Sequence, residues 1–170
     1  MRVWTISGCL LLLLAATVTA QQEQTARDPV TGKTIPVTER TRRILVNGKP
    51  VYFESAESEA RFIKEPEKYL KEPLPCPVLG STAPPSRDAR LVVNDSLWYF
   101  CCGDCTGTAL GQPGQYFKKL RDPVTGKEFT VTPDSPHLLH RGSRYYFATE
   151  ESRDRFAADP GKYARIPSEP

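Results

Sequence analysis

Asp28-Pro29-Val30-Thr31-Gly32-Lys33 returns almost unchanged as Asp122-Pro123-Val124-Thr125-Gly126-Lys127, and a third version, Cys76-Pro77-Val78-Leu79-Gly80, stands between them. Each is followed by an aromatic pair, Tyr52-Phe53, Tyr99-Phe100 and Tyr146-Phe147, with Pro-to-Phe spacings of 24, 23 and 24 residues. Thirteen residues after each Phe comes a proline (Pro66, Pro113, Pro160), and three residues later a tyrosine (Tyr69, Tyr116, Tyr163). Anchors held at near-constant spacing through three copies are the signature of a tandem repeat. The units run over residues 28–72, 76–120 and 122–165, joined by short proline-containing connections such as Glu72-Pro73-Leu74-Pro75.

One unit predicts a β-hairpin followed by a short helix. In residues 44–53, two apolar runs flank Asn47-Gly48. Asn-Gly is the preferred two-residue hairpin turn because both central residues need positive φ. The equivalents are Asn94-Asp95 and Arg141-Gly142. Ser55 is a helix-capping residue and opens a helix over 55–65, which Pro66 stops; Pro113 and Pro160 do the same for the other copies. Phe62 and Phe156 lie nine residues after Phe53 and Phe147, whereas the middle copy has Ala109 there, so its helix packs differently. The expected fold class is therefore α+β. A unit of about 45 residues buries little apolar surface and needs a metal, a disulfide or a neighbour. The outer units, lacking cysteine, are expected to lean on adjoining copies.

The first 20 residues are of another kind. Arg2 is their only charge, residues 9–16 are apolar, and Val18-Thr19-Ala20 offers small or modest residues for cleavage before Gln21. This reads as a secretory signal peptide, too short to span a bilayer, and it predicts an exported (periplasmic or secreted) mature chain. Once Cys9 is removed with it, four cysteines remain, all in the middle unit: Cys76, Cys101, Cys102 and Cys105. Cys101 and Cys105 are spaced i and i+4, Cys102 and Cys105 i and i+3, so either pair shares a helix face. A helix N-terminus also favours thiolate. With Cys76 brought back by the hairpin, the set can converge on one ion, and soft thiolates suit zinc or cuprous copper. Two other readings stand beside a metal site: a disulfide from Cys76 to one of the other three, and a redox-active thiol pair.

The unit resembles the YHS domain and its relative the TRASH domain, a cysteine-rich module proposed for metal sensing or trafficking. The resemblance rests on Asp28-Pro29-Val30-Thr31-Gly32, Tyr99-Phe100-Cys101, Cys105 and Pro113-x-x-Tyr116, and it covers essentially all of residues 28–165. It implies three small treble-clef or zinc-ribbon-like units, with heavy-metal binding in the middle copy and a scaffold role for its neighbours. In the outer copies the family's cysteine positions hold Thr31, Glu54 and Ser58, and Thr125, Ala148 and Ser152. In the middle copy Leu79 takes the first cysteine position, and Cys76 stands three residues earlier, where the family has Asp.

Other features exclude more than they suggest. Net charge is +3, from 23 basic and 20 acidic side chains, which gives no argument for nucleic acid or an anionic membrane as partner. The expected partners are a metal ion and another exported protein. His137 and His140, three apart on the expected strand, face opposite sides of the sheet and make a poor ligand pair. Asn94-Asp95-Ser96 is a formal glycosylation sequon that a hairpin turn would expose. Gly32-Lys33-Thr34 lacks the glycine-rich context of a phosphate-binding loop. No catalytic constellation is present, so the chain is not expected to be an enzyme, and an interaction adaptor built from degenerate modules is the alternative to metal binding.

Overall fold

Three hairpins, one from each repeat, lie side by side in a single six-stranded sheet. A computed structural model describes residues 24–166, so the expected signal peptide and Cys9 lie outside the described residues. Across the sheet the strands run His137–His140, Ser143–Tyr146, Arg90–Val93, Ser96–Tyr99, Arg42–Val46 and Lys49–Phe53. Pairing is antiparallel within each hairpin and parallel between hairpins. The molecule is thus mixed α+β, as expected from the unit, and its repeats share one sheet.

Local chemistry explains the elements. All three turns adopt positive φ at both central residues: Asn47 and Gly48 at 47° and 76°, Asn94 and Asp95 at 44° and 55°, Arg141 and Gly142 at 47° and 77°. Helices follow at Ala56–Lys64, Gly103–Gly111 and Glu150–Ala158. Ser55 forms a capping box with Ser58, and the Thr149 hydroxyl accepts from the Ser152 amide at 3.2 Å. The prolines do more than stop these helices. Pro66, Pro113 and Pro160 each open a further one-turn helix, at Pro66–Tyr69, Pro113–Tyr116 and Pro160–Tyr163, where the missing N–H costs nothing.

Before each hairpin a small two-stranded ribbon carries the repeated turn, Asp-Pro-Val-Thr-Gly in the outer units and Cys-Pro-Val-Leu-Gly in the middle one: Thr25–Arg27 with Thr34–Pro36, Leu74–Pro75 with Thr82–Ala83, and Lys119–Arg121 with Glu128–Thr130. Asp28 is fully buried at the head of the first turn. Its carboxylate accepts from the backbone amides of Val30 and Thr31 and, across the unit, of Glu54 (2.8 Å). Asp122 does the same with Val124, Thr125 and Ala148. Burial alone would raise these carboxyl pKa values. The amides, with the hydroxyls of Ser58 and Ser152, reverse that and hold both below the ordinary value.

Cores cross the repeat boundaries. Phe53 and Phe62 pack at 5.1 Å together with Val92, Leu97 and Tyr99 of the next unit and with Ile166. Tyr146 and Val131 of the third unit join the middle core, where Ala109 leaves room for Phe117 against Trp98 (5.0 Å). The third unit repeats the first, with Phe147 and Phe156 at 5.3 Å.

The hairpin turns also clasp the following unit. Asn47 donates through Nδ2 to the carbonyls of Tyr99 (3.1 Å) and Pro75 (2.9 Å), and its Oδ1 accepts the Tyr99 amide (2.7 Å). Asn94 repeats the pattern with the carbonyls of Tyr146 (2.7 Å) and Arg121 (3.0 Å) and the Tyr146 amide (2.8 Å). This corrects the reading of Asn94-Asp95-Ser96 as an exposed sequon: the Asn94 side chain is buried and all its hydrogen-bonding atoms are engaged. Asn94→Ala should lower unfolding stability by about 3 kcal/mol, because it strands three backbone groups and leaves a Cβ residue at positive φ without a carboxamide to compensate. Urea denaturation measures this; a loss below about 0.5 kcal/mol, the cost of an ordinary surface turn residue, would show that the clasp contributes nothing.

Candidate metal centre

The four cysteines sit where the middle unit's ribbon turn, hairpin and helix meet. Cys76 heads the ribbon turn, in the position of Asp28 and Asp122. Cys101 follows the hairpin, Cys102 is the N-cap of the helix, and Cys105 lies in its first turn. The places of Cys76, Cys102 and Cys105 correspond one for one to oxygen-bearing residues of the outer copies. Ser55 Oγ and Ser58 Oγ are 3.5 Å apart, Thr149 Oγ1 and Ser152 Oγ 3.3 Å, and Cys102 Sγ and Cys105 Sγ 3.6 Å. The middle unit is the outer unit with sulfur written in place of oxygen, plus one thiol, Cys101, where the neighbours have Glu54 and Ala148.

Of the four expected ligands the structure brings three into one group. The sulfurs of Cys76, Cys101 and Cys105 all lie within 4.8 Å of one another, and Cys76 and Cys105 are buried. The Cys101–Cys105 separation is 3.6 Å. Thiolates bound at about 2.3 Å to one tetrahedral ion stand roughly 3.8 Å apart, so the donor set and its spacing fit a soft ion with little movement. Cys102 touches Cys105 but remains exposed and outside the trio. All four are free thiols.

Electrostatics divide the thiols. Burial pushes Cys76 up, but the amides of Leu79, Cys101 and Val78 and the Cys101 thiol outweigh it and bring its pKa down to about 7. These are the same amide positions that hold the Asp28 and Asp122 carboxylates, so the turn is an anion cradle in every copy. Cys102 is lowered, chiefly by the Cys105 amide and thiol at the helix start. Cys105 goes the other way. Burial raises it most, and its contacts with the Cys102, Cys101 and Cys76 sulfurs raise it further.

The two histidines stay apart from the thiols. His137 is exposed and His140 half-buried, facing alternate sides as expected. The ring of His137 lies 5.5 Å from Tyr146, and that of His140 meets Phe156 edge-on at 6.0 Å. The sequence reading missed Asp28 and Asp122 as buried anions and Asn47 and Asn94 as clasps. Alignment of the repeats already placed Cys76 on the Asp position, which was the available signal for the cradle.

No protein-family model matches the chain, and neither the curated proteins nor the solved structures hold a match to it. Among the described residues, no helix is long and apolar enough to cross a membrane.

Exposure and ionisation together order the thiols by reactivity. With the reduced, metal-free protein near neutral pH, iodoacetamide should alkylate Cys102 at least about tenfold faster than Cys105. Timed alkylation read by peptide mass spectrometry checks this, and equal rates at the four positions would contradict the arrangement described.

Proposed function

We propose that the chain is an exported, non-catalytic metal-binding protein that holds one zinc or cuprous ion in its middle repeat. Cys76, Cys101 and Cys105 are the ligands, and Cys102 is a fourth donor at the surface. The observation that carries this reading is the convergence of three sulfurs from two separate chain segments within 4.8 Å. A scaffold needs only the oxygen version of the same network, which the outer repeats already have. The additional thiol at Cys101 adds nothing to that scaffold and completes a soft donor set.

The order of ribbon turn, hairpin and helix in each unit supports a treble-clef-like description and, with it, the YHS/TRASH resemblance. In that description the outer units are ligand-free supports that keep the middle unit folded. The placement of Cys102 suits metal sensing or trafficking. An exposed thiol beside three buried or half-buried ones is where an incoming carrier or chelator would first exchange ligands with the ion. The signal-like leader supports a periplasmic or extracellular setting for this activity, where the reduced set needs the ion to protect it from oxidation.

Native mass spectrometry of the reduced mature protein, after addition of zinc or cuprous ion, should show one ion per chain. Cys105→Ser should abolish it, and Cys102→Ser should keep the stoichiometry while weakening affinity about tenfold. An unchanged single-ion complex in Cys105→Ser would sink the reading. So would purification of the native protein with its cysteines in disulfides and no ion bound after gentle reduction.

Proton release gives an independent check. Above about pH 7 Cys76 is already a thiolate, so binding displaces protons only from its partners. Below that pH Cys76 is protonated as well, and one further proton leaves per ion. The plot of log affinity against pH should therefore steepen by about one unit of slope on the acid side of neutrality. Cys76→Ser should remove the break. Calorimetry in buffers of different ionisation enthalpy counts these protons, and a constant count across neutrality in the unmodified protein would be incompatible with Cys76 as a ligand.

A further inference from the structure

The two joints between repeats differ at one corresponding place. At the first joint a cross-strand pair of the middle hairpin, Arg90 and Tyr99, meets a carboxylate of the preceding unit. Arg90 Nη1 and the Tyr99 hydroxyl both donate to Glu67 Oε1, at 2.8 and 2.9 Å. Each of these positions recurs 47 residues on, 90 as 137, 99 as 146 and 67 as 114. The cross-strand pair at the second joint is therefore His137 and Tyr146, and Gly114 stands where the carboxylate would be. The backbone enforces that glycine, because a Cβ on it would lie 2.8 Å from the Val131 carbonyl oxygen. This position can supply no side chain to the pair.

The donors at the second joint remain, and one is added. Arg144 stands where the first joint has Leu97. Arg144 and Tyr146 lie two apart on one strand, and His137 is paired opposite Tyr146, so the three share a face of the sheet. All three line a cavity of about 110 Å³. Leu110, Gly111 and Pro113 of the middle unit, with Pro133, make its other walls, and no carboxylate lines it. Arg144 Nε is buried without a hydrogen-bond partner. Among the described residues no acceptor meets the Tyr146 hydroxyl, whose surroundings are burial and the Arg144 charge. His137 Nδ1 lies 3.1 Å from the Ser135 carbonyl. A carbonyl only accepts, so Nδ1 carries the hydrogen, and Nε2 has no partner among the described residues. Asp134, close by in the chain, is exposed and forms no ion pair among the described residues.

We infer that this cavity is a binding site for a small monocarboxylate, whose carboxylate takes the place that Glu67 fills at the first joint. A buried guanidinium N–H without an acceptor is costly, and a charged acceptor satisfies it best. Arg144 can only donate, so the ligand must accept. The Tyr146 hydroxyl donates to the same group, as Tyr99 does to Glu67, and a protonated His137 adds a second cationic donor. Size follows from the volume, which lies well below the roughly 300 Å³ at which ordinary ligand pockets begin. A carboxylate with one or two further carbons fills it, and Leu110 and the two prolines suit the carbon end. The cavity shares no lining residue with the thiols, and it does not depend on the metal reading.

A chemical-shift titration of the full mature protein with sodium acetate, at constant ionic strength, tests this. Acetate should shift the amides of Gly111, Arg144 and Tyr146 saturably, with half-saturation at about 1–10 mM, a range open to a four-atom ligand. Acetamide, of the same shape but uncharged, should need at least about tenfold more. Arg144→Gln should raise the half-saturation point at least about tenfold, and Tyr146→Phe, which keeps the buried ring, about threefold. Arg43→Gln, an exposed cation on the hairpin at the far side of the sheet, should stay within about twofold. Three results would each overturn the inference: shifts that grow without saturating, an equal response to chloride or acetamide, or equal weakening in Arg43→Gln and Arg144→Gln. The spectrum of each variant reports whether it is folded; should Arg144→Gln be unfolded, Tyr146→Phe alone must still weaken binding for the inference to stand.

Discussion

One carboxamide per joint holds this molecule together as a sheet. Neighbouring hairpins meet in parallel through very short ladders: Arg144 opposite Val93 at one joint, and Leu45 and Val46 opposite Ser96 and Leu97 at the other. Ladders that short are marginal by themselves, and parallel pairing is the weaker kind. Asn47 and Asn94 extend them. Each occupies a turn where a left-handed backbone is required, and each satisfies both backbone groups of a Tyr in the next hairpin and one carbonyl of its ribbon. The shared cores and the approach of the ribbon turn to the helix start presuppose this registration.

The constraint also explains what could be read from the chain alone. Turns, helix starts and proline breaks depend on residues within a few positions of one another, so the repeat, the hairpins around Asn47-Gly48 and the helix after Ser55 were legible. The clasp was not. Its partner lies 52 residues away, and Asn at a hairpin turn is already fully accounted for by its tolerance of positive φ. The same local sufficiency made Asn94 look like a surface sequon. The cysteine spacing pointed to a converging set, and three members do converge. Cys102, the N-cap of the helix, touches Cys105 from the exposed side and stays outside the group of three.

The relation between middle and outer units bears on how a soft site can arise in such an array. Asp28, Ser55 and Ser58 already form a compact polar network in which amides neutralise a buried anion and hydroxyls cap a helix. Cys76, Cys102 and Cys105 occupy that network without altering the backbone plan. A thiolate at Cys76 draws on the same amides that a carboxylate would, so the cradle supports the anion whether or not an ion is present. The site is therefore preorganised by a device whose first role is folding, and exchanging ligands there need not disturb the sheet.

The last turn has a different consequence. Arg141 stands where Asn47 and Asn94 stand, with the same left-handed backbone. A guanidinium donates but cannot accept, so it has no atom to take the amide proton of a further strand. The series has a direction, and at this position it loses the chemistry that would add another member. Proteins made of self-similar units carry an inherent hazard, because whatever joins one copy to the next also invites a copy from another molecule. Here the last turn lacks the amide-accepting half of the clasp that Asn47 and Asn94 make.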